Sequence, residues 1–465
     1  MVSTTFRELG LSAPILRQLE NLEYKTPTPI QAACIPLLLQ NKDLMGLAQT
    51  GTGKTAAFAL PLIQQLSERS GKPPGRRVRA LILSPTRELA AQIHENIRAY
   101  ARGLHLSTAV IFGGVGYVSQ FKELAGGLDI LIATPGRLID HLERRTVSLD
   151  SVETLILDEA DHMLDMGFAP ALKKIVSKIP RKRHTQMFSA TMPAEVEKLA
   201  LDLLKNPETV KVDPVSSPVE AIDQCLYYVD KANKKHLLAH LLRDPRVENA
   251  LVFSRTRHGA DRIVRDLNRA GIDAVAIHGD KSQNARQAAL TRFKTGDCKV
   301  LVATDIAARG LDIAGLSHVF NFDMPMEPEA YVHRIGRTGR AGHTGTAVSF
   351  CCIDEVKQLN QVEKLIGRRL PVRESDWPME ITTPSEPRVR EARPAKLNMR
   401  GEPVPERKPR AAKPAMPRGK GGQSVTIGRD GKMHVQSAAR PVQKPAQRSS
   451  GLAKPVQRIN RHKKG

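Results

Sequence analysis

The feature that most constrains the fold is a repeated pattern of short, continuously apolar runs, each followed by a break and a segment with helical spacing. In the first half such runs occupy 79–83, 108–112, 129–133 and 154–157. In the second half they return at 250–253, 274–278, 300–303, 318–322 and 346–350. Strands that are apolar on both faces and alternate with helices are typical of a parallel sheet covered on both sides. The sequence therefore predicts an α/β chain with two tandem parallel-sheet domains.

Changes in composition predict the limits of these domains. We expect a first domain at 1–210, a linker at 211–218, a second domain at 219–372 and a tail at 373–465. The linker contains two prolines and two serines, which is typical of a short connector. After 373 the periodicity ends, and no later stretch could bury enough apolar area to offset the entropy of ordering. The tail is therefore expected to be disordered.

Most of the positive charge lies in that tail. The net charge of the 465 residues is +23, and residues 391–465 contain 19 Lys and Arg against 4 Asp and Glu. A strongly basic chain is expected to bind nucleic acid or an anionic membrane surface. The tail is thus interpreted as a nucleic-acid tether, with a solvated segment without function as the alternative.

Other sequence features exclude several classes of protein. No apolar run is long enough to span a bilayer, and Met1 to Gly10 lacks the regions of a signal peptide. The five cysteines form no CxxC pair and have no zinc-site spacing, which predicts buried free thiols. We therefore expect a soluble cytoplasmic protein with no membrane partner, no disulfide framework and no structural zinc.

A glycine-rich loop predicts a nucleotide site. A predicted strand at 42–48 leads into Gln49-Thr50-Gly51-Thr52-Gly53-Lys54-Thr55 and then into a predicted helix at 56–66. Glycines allow backbone N–H groups to turn toward phosphate oxygens, and the helix N-terminus adds partial positive charge. In such a phosphate-binding P-loop, Lys54 reaches the β- and γ-phosphates and Thr55 can ligate Mg²⁺.

An acidic segment supplies the groups that a P-loop needs for hydrolysis. Asp158 ends the apolar run 155–157, which is the position of a Walker B aspartate that holds magnesium. Glu159 follows directly and can polarise an attacking water, because hydrolysis needs a base within hydrogen-bond reach of that water. Beside a P-loop, these carboxylates predict a catalytic site and not a solvated strand end.

The tetrad Asp158-Glu159-Ala160-Asp161 resembles the signature of the DEAD-box RNA helicases, and the other motifs of that family are present in order. They lie at 24–31, 49–55, 85–90, 113–114, 134–137, 189–191, 252–256, 283–286, 303–312 and 333–340. The resemblance to the family runs from Phe6 to about Asp354. The opening and the basic C-terminal extension look most like the bacterial RhlE-like branch. Glu23 and Tyr24 depart from it, since a Gly-Phe pair is commoner at these positions.

This resemblance implies two RecA-like domains with ATP and Mg²⁺ as cofactors. Phe6 would stack on adenine, Gln31 would read the adenine edge, and Asp312 would contact the ribose. The implied nucleotide-contacting set is Phe6, Tyr24, Gln31, Gln49, Thr50, Gly51, Thr52, Gly53, Lys54, Thr55, Ala56 and Asp312. Thr55 and Asp158 are the implied magnesium ligands. The implied catalytic set is Lys54, Asp158, Glu159, Arg337 and Arg340, in which the second domain supplies both arginines to the γ-phosphate.

The resemblance also implies RNA contacts in both domains, mostly to phosphates and 2′-hydroxyls. The candidates are Arg87, Gly114, Thr134, Arg137, Gly279, Thr304 and Arg309. Gly114 and Gly279 fit an ordinary turn equally well. The residues implied in coupling hydrolysis to strand separation are Asp161, Ser189, Thr191 and His333.

The function implied is an RNA-dependent ATPase that locally unwinds short RNA duplexes or remodels RNA–protein complexes by closing two domains on RNA. ATP and RNA would each raise the affinity for the other, because both favour the closed arrangement. One alternative is an RNA-binding or annealing protein in which ATP hydrolysis only controls how long RNA stays bound. A less favoured alternative is a DNA helicase. The complete hydrolytic set favours the helicase, since a degenerate scaffold has no need of it.

Overall fold

Two parallel β-sheets organise the chain. The computed structural model describes residues 5–49, 51–69, 71–212, 222–308, 311, 313, 315–339, 345–383, 423–427 and 433–437. The first domain comprises the described residues up to 212, and the second domain comprises those from 222 to 383.

The first sheet has seven parallel strands. They are β1 (Leu44–Leu47), β2 (Val78–Leu83), β3 (Thr108–Ile111), β4 (Leu128–Ala133), β5 (Thr154–Leu157), β6 (His184–Ser189) and β7 (Glu208–Lys211). Their order across the sheet is β3-β4-β2-β5-β6-β1-β7. Alternate residues of the central strands enter two separate apolar cores, one on each face. Burial on both faces accounts for the continuously apolar runs in the sequence.

Helices cover both faces of this sheet. After a short 3₁₀ helix (Phe6–Leu9) they are α1 (Ala13–Asn21), α2 (Pro29–Leu39), α3 (Lys54–Ser67), α4 (Arg87–Tyr100), α5 (Tyr117–Leu124), α6 (Pro135–Glu143), α7 (Ala160–Asp165), α8 (Ala169–Val176) and α9 (Ala194–Leu203). Helix α3 begins directly at the end of the glycine-rich loop. This connection places the loop at the carboxyl edge of the sheet, where α/β proteins bind ligands.

The second sheet has six parallel strands. They are β8 (Ile222–Tyr228), β9 (Ala250–Phe253), β10 (Ala274–Ile277), β11 (Val300–Ala303), β12 (His318–Asn321) and β13 (Gly345–Cys351). Their order is β10-β11-β9-β12-β13-β8. The helices are α10 (Lys234–Leu241), α11 (Arg257–Arg269), α12 (Gln283–Lys294), α13 (Asp305–Ala308), α14 (Pro328–Ile335) and α15 (Val356–Ile366).

The two sheets share one topology. Taken in chain order, β1 to β6 of the first domain and β8 to β13 of the second occupy the same places in their sheets. Strand β7 is an additional edge strand that pairs with β1. Each residue at the end of one of these six strands therefore has a counterpart in the other domain.

The predicted fold class of two tandem parallel-sheet domains is confirmed. Every apolar run singled out in the sequence coincides with a strand to within two residues at either end, but β6, β7 and β8 were not predicted. Strand β6 escaped notice because four of its six residues are polar, although all six are buried. Among the described residues no helix is long and apolar enough to cross a membrane. All five cysteines are buried and free.

The second domain extends further than the sequence indicated. Pro371 and Arg373 exchange backbone hydrogen bonds with Leu226 of β8. The Trp377 ring lies 5.5 Å from that of His240, centroid to centroid. The Asp230 carboxylate accepts the backbone N–H groups of residues 380 and 381. The tail boundary predicted at 373 is therefore too early, because a mostly polar segment is fixed by backbone hydrogen bonds that the composition did not reveal.

The region predicted to be a disordered tail also contains two short strands. Strands β14 (Gln423–Ile427) and β15 (Met433–Ser437) pair antiparallel, with Val425 opposite Val435. Their sequences alternate apolar and polar residues, a pattern typical of a strand. Of the predicted linker, only 211 and 212 lie within the described residues.

Candidate nucleotide and RNA sites

The P-loop connects β1 to α3 and is held by its own side chains. Gly51 and Gly53 have φ of +81° and +91°, which favours glycine at both positions. The Thr52 hydroxyl donates to the carbonyl oxygen of Gln49 (2.8 Å). The buried Lys54 ammonium donates to the carbonyl oxygen of Ala48 (2.9 Å). The predicted residues Thr55 and Ala56 lie in the first turn of α3, and Thr50 lies outside the described residues.

The Gln31 side chain connects α2 to the P-loop. Its Oε1 accepts the N–H of Thr28 (2.9 Å), and its Nε2 donates to the carbonyl oxygen of Gly53 (3.1 Å). A Cβ added to Gly53 would lie 2.3 Å from this nitrogen, and the φ of +91° is strained for any residue with a side chain, so both features favour glycine. The structure therefore places Gln31 directly against the loop that the sequence assigned to phosphates.

The two predicted adenine-side aromatics lie together. The rings of Phe6 and Tyr24 are 6.3 Å apart, centroid to centroid, and the Tyr24 hydroxyl lies 3.0 Å from that of Tyr100. Phe6 is buried in the first-domain core, whereas Tyr24 is 37% exposed. The neighbouring Glu23 has a φ of +60°, which explains why the more common glycine suits this position.

The predicted general base is oriented by a histidine. Glu159 adopts a left-handed backbone with φ of +53° at the end of β5. This conformation is strained for a residue with a side chain and is often found at functional sites. Its Oε2 lies 2.9 Å from Nδ1 of His162. Burial raises the pKa of Glu159, but the hydrogen bond and charge of His162, with the charges of Lys54 and Arg337, lower it overall.

Asp158 is a buried carboxylate, and a nearby cation would stabilise its ionised form. Burial raises its pKa, while the charge of Lys54 opposes that rise. Within the described part of the chain, the hydrogen bonding of this carboxylate consists of the N–H that Glu159 donates to Oδ1 (3.1 Å). A divalent cation would remove the cost of ionising this group, and carboxylate and hydroxyl oxygens are ligands that Mg²⁺ accepts. Asp158 and Thr55 therefore fit the predicted magnesium site.

The predicted coupling residues of the first domain form one network. Oδ2 of Asp161 accepts the N–H groups of Ala190 (3.2 Å) and Thr191 (3.0 Å) and the hydroxyl of Thr191 (2.9 Å). Ser189 Oγ accepts the N–H of Asp161 and donates to the carbonyl oxygen of Thr191. The end of β6 is therefore tied to the acidic segment beside the nucleotide site.

The second domain reaches the same carboxylates. The rings of His333 and His162 meet edge to face at 5.6 Å, centroid to centroid. Arg337 is buried, donates to the carbonyl oxygen of Leu311 (2.9 Å), and lies close enough for its charge to lower the pKa of Glu159. The predicted residues Arg340 and Asp312 lie outside the described residues.

A cleft of about 450 Å³ lies between the two domains. Four predicted RNA-contacting residues line it, namely Arg87, Thr134, Arg137 and Gly279. Thr304 lies at the end of β11, where its carbonyl oxygen accepts the N–H groups of Ala307 and Ala308, and Ala307 lines the cleft. Arg309 lies outside the described residues. The fold thus brings residues from distant motifs to one surface.

Arg137 is held rigidly in this cleft. Its guanidinium donates to the carbonyl oxygen of Val115 (3.1 Å) and to Oε1 of Gln120 (3.1 Å). Its carbon Cζ lies 4.2 Å from the Tyr117 ring centroid. The side chain is therefore already oriented before any ligand arrives.

Direct hydrogen bonds join the two domains along the cleft. The Glu88 carboxylate accepts Nη2 of Arg286 (2.7 Å) and Nε2 of Gln283 (3.0 Å). Gln283 also accepts Nη1 of Arg87 (3.3 Å). Residues 283–286 stand among the sequence motifs, but no role was predicted for them. Two sequence features could have indicated this contact. Gln283 and Arg286 lie three residues apart on one predicted helix, and Glu88 is an acidic residue in a first-domain motif with no assigned role.

The shared topology identifies Arg257 as a further candidate that the sequence motifs did not reveal. Arg87 begins α4 after β2, and Arg257 begins α11 after the counterpart strand β9. A Cβ added to Gly113 would lie 3.5 Å from Arg87, and one added to Gly279 would lie 3.5 Å from Arg257. Gly114 has φ of +83°, and its added Cβ would clash with Arg87. Each domain thus packs one arginine over glycine at the same strand end.

A P-loop domain followed by a second copy of its fold, whose arginine approaches the hydrolytic carboxylate, defines a two-domain P-loop ATPase. The family model described as DEAD/DEAH box helicase matches residues 28–199, and that described as helicase conserved C-terminal domain matches residues 233–342. The chain belongs to the DEAD-box family of ATP-dependent RNA helicases.

Individual relatives agree with this membership. The chain is 44% identical to the DEAD-box ATP-dependent RNA helicase CshA of Geobacillus kaustophilus, over 79% of this chain and 78% of the relative. It is 42% identical to CshA of Bacillus subtilis, over 79% of this chain and 74% of the relative. The structure of S. cerevisiae Dbp5 bound to RNA and ADP BeF3 superposes with a TM-score of 0.70 at 29% identity, covering 79% of this chain and 95% of Dbp5.

Proposed function

We propose that the chain separates short RNA duplexes by hydrolysing ATP at the first-domain P-loop when the second domain and RNA complete the site. The observation that carries this proposal is the path from Glu159 through His162 to His333, with the charge of Arg337 acting on the same carboxylate. In this proposal Glu159 is the general base and Arg337 stabilises charge on the γ-phosphate. Lys54 binds the phosphates, and Gln31 reads the adenine.

We further propose that Thr55 and Asp158 hold Mg²⁺. A bound magnesium ion would neutralise developing phosphate charge and orient the nucleotide. The chain's own contribution is a buried carboxylate at the end of β5 and a hydroxyl in the first turn of α3. Their sequence separation is bridged by the parallel sheet, which brings both to one edge.

RNA is proposed to lie in the cleft between the domains. Arg87, Thr134 and Arg137 would contact it from the first domain, and Gly279, Thr304 and Arg257 from the second. Arg257 is included because it repeats the surroundings of Arg87. Arginines and backbone groups contact phosphate and ribose, so we expect little preference for base sequence.

Three finer assignments also belong to the proposal. We place the chain near the RhlE-like branch on its opening residues and its basic C-terminal extension, although the relatives from Geobacillus kaustophilus and Bacillus subtilis carry the name CshA. The basic tail is proposed to add RNA affinity, because 19 Lys and Arg lie in residues 391–465. A cytoplasmic location is proposed from the sequence alone.

Single-turnover strand displacement tests the main proposal. A short RNA duplex with a labelled strand is mixed with excess protein and ATP, a non-hydrolysable ATP analogue or no nucleotide. We expect displacement with ATP and none without nucleotide. When the duplex is instead in excess over the protein, we expect repeated turnover with ATP but not with the non-hydrolysable analogue. RNA annealing without displacement would instead support the alternative in which the ATPase times RNA binding.

A DNA duplex of the same sequence serves as the control for substrate class. Proposed 2′-hydroxyl contacts predict weaker stimulation of ATP hydrolysis by DNA than by RNA. Equal displacement of both duplexes would contradict the assignment of RNA as the substrate.

A further inference from the structure

The second domain contains a structural counterpart of the P-loop lysine. Lys54 is the first residue of α3 after β1, and Lys234 is the first residue of α10 after the counterpart strand β8. Both lysines are buried. The loop that precedes Lys234, residues 229–233, contains no glycine. It therefore lacks the backbone freedom that lets a P-loop wrap around phosphate.

The residue that corresponds to Asp158 in the second domain is not acidic. Asp158 is the first residue after β5, and Phe322 is the first residue after the counterpart strand β12. A phenylalanine offers no ligand to magnesium. Its carbonyl oxygen instead accepts the Lys234 ammonium (2.7 Å). The second domain thus has the buried lysine but neither a glycine-rich loop before it nor a carboxylate at the position that corresponds to Asp158.

A carboxylate of the chain takes the place of an anionic ligand beside this lysine. Oε2 of Glu355 lies 2.5 Å from Nζ of Lys234, and both side chains are at most 3% exposed. Oε1 of Glu355 accepts Nη2 of Arg255 (2.7 Å) and the N–H of Met324 (3.3 Å). One buried carboxylate therefore joins the starts of α10 and α15 to the loop after β9.

Arg255 fixes the loop after β9 through both its side chain and its backbone. Its guanidinium binds Glu355, and its backbone N–H donates to Oδ2 of Asp323 (2.8 Å). Arg257, two residues further on, begins α11 and packs over Gly279. Its guanidinium also pairs with Asp280 (2.5 Å). Arg255 therefore helps to fix the chain just before Arg257, whose side chain lies against Gly279 at the edge of the cleft.

We propose that Glu355 is a positioning residue for RNA binding: its carboxylate replaces a nucleotide phosphate as the partner of Lys234 and fixes the loop that presents Arg257. This inference rests on the proposed RNA contact of Arg257. The loop of the second domain is then set permanently by an internal anion, and its RNA contact does not depend on a second nucleotide.

The E355Q variant tests this proposal because two models predict opposite signs. Removing a negative charge should strengthen RNA binding if electrostatics alone matters, since RNA is a polyanion. Loss of positioning should instead weaken RNA binding. The RNA concentration that gives half-maximal ATPase stimulation should then rise by roughly 2-fold to 30-fold. The ATP affinity without RNA and the ATPase rate at saturating RNA should remain unchanged, because the contacts of the Glu355 carboxylate with Lys234, Arg255 and Met324 include no residue proposed to act on ATP.

The matched control is D244N, which removes one negative charge from an exposed pair with Arg246 in the same domain. We expect D244N to bind RNA as tightly as the parent protein or more tightly. Because E355Q leaves Lys234 without its carboxylate, its folding is checked by thermal unfolding. If E355Q unfolds, R255M replaces it, since the Arg255 side chain is 37% exposed and its removal leaves the Lys234–Glu355 pair intact.

R257A is measured in parallel to separate the two proposals. Unchanged RNA affinity in R257A would contradict the proposed RNA contact itself. Weaker binding in R257A together with unchanged or tighter binding in a folded E355Q, or in R255M, would overturn the positioning role of Glu355 alone.

Discussion

The P-loop region around Lys54 and its counterpart around Lys234 show how one fold yields a ligand site in one domain and an internal ion pair in the other. Both lysines begin the helix that follows the first strand of a sheet with the same order. Lys54 lies beside two glycines with left-handed backbone and donates to a carbonyl oxygen of its own loop. Lys234 lies against the carboxylate of Glu355.

The difference concerns what neutralises the buried ammonium. A lysine without a fixed carboxylate can exchange a weak carbonyl partner for phosphate, so its loop can respond to ATP. A lysine paired with a buried carboxylate is already neutralised, and separating that pair costs much free energy. We infer that the first domain responds to nucleotide, whereas the second domain presents a preset surface to RNA.

We expect E159Q to change activity most. It should reduce ATP turnover roughly 10²-fold to 10⁴-fold, because it removes the general base while keeping the shape of the side chain. Binding of ATP and RNA should persist. The matched variant in the second domain is D323N, which alters the acidic residue after β12 and should leave turnover at saturating RNA unchanged. Steady-state ATPase assays measure the turnover of both variants. Near-normal turnover by E159Q would contradict the assignment of Glu159 as the general base.

R337A should lower the ATPase rate at saturating ATP and RNA by about 10²-fold to 10³-fold, because one donor to the transition state is lost. ATP affinity should change little, since the arginine belongs to the other domain. Kinetics over a range of ATP concentrations separate the two parameters. A rise in the Michaelis constant for ATP alone would show that Arg337 serves binding and not the chemical step.

The two lysines should differ in which property they control. K54A should weaken ATP binding, whereas K234M should leave ATP affinity intact and lower the free energy of unfolding of the second domain by about 3–5 kcal/mol, as expected for breaking a buried ion pair. Nucleotide titrations and denaturant unfolding measure these effects. Loss of ATP affinity in a folded K234M would contradict the division of roles between the domains.

We expect removal of the tail to have the weakest effect. This change tests whether the tail contributes to RNA binding or to ATP hydrolysis. Truncation after Thr383 retains the segment that packs on β8 and removes most of the basic excess. RNA affinity at low salt should fall and the slope of log affinity against log salt should flatten, because fewer counterions are released. ATP affinity and RNA-saturated turnover should persist. Identical slopes for both proteins would mean that the tail does not bind RNA.

Much of the fold could be predicted because burial on both sheet faces produces apolar runs that are visible in the chain. Strand β6 could not, since Gln186 and His184 are polar and yet fully or almost fully buried. The segment beyond 373 was missed for a related reason. It is held by backbone hydrogen bonds with Leu226, by backbone N–H groups that donate to the Asp230 carboxylate, and by a Trp377 ring next to His240, and these leave no pattern in the composition.

The chemistry of the nucleotide site could be predicted from the residues alone. A glycine-rich loop before Lys54 and two carboxylates after an apolar run specify phosphate binding and hydrolysis, because the groups within each motif are neighbours in the chain and act through local geometry. The sequence did not determine which charges neutralise one another. Lys234 and Glu355 are 121 positions apart, and Glu88 meets Arg286 across two domains. Only the parallel sheets decided these pairings, because they bring the carboxyl ends of distant strands to one edge, where burial makes each unpaired charge costly.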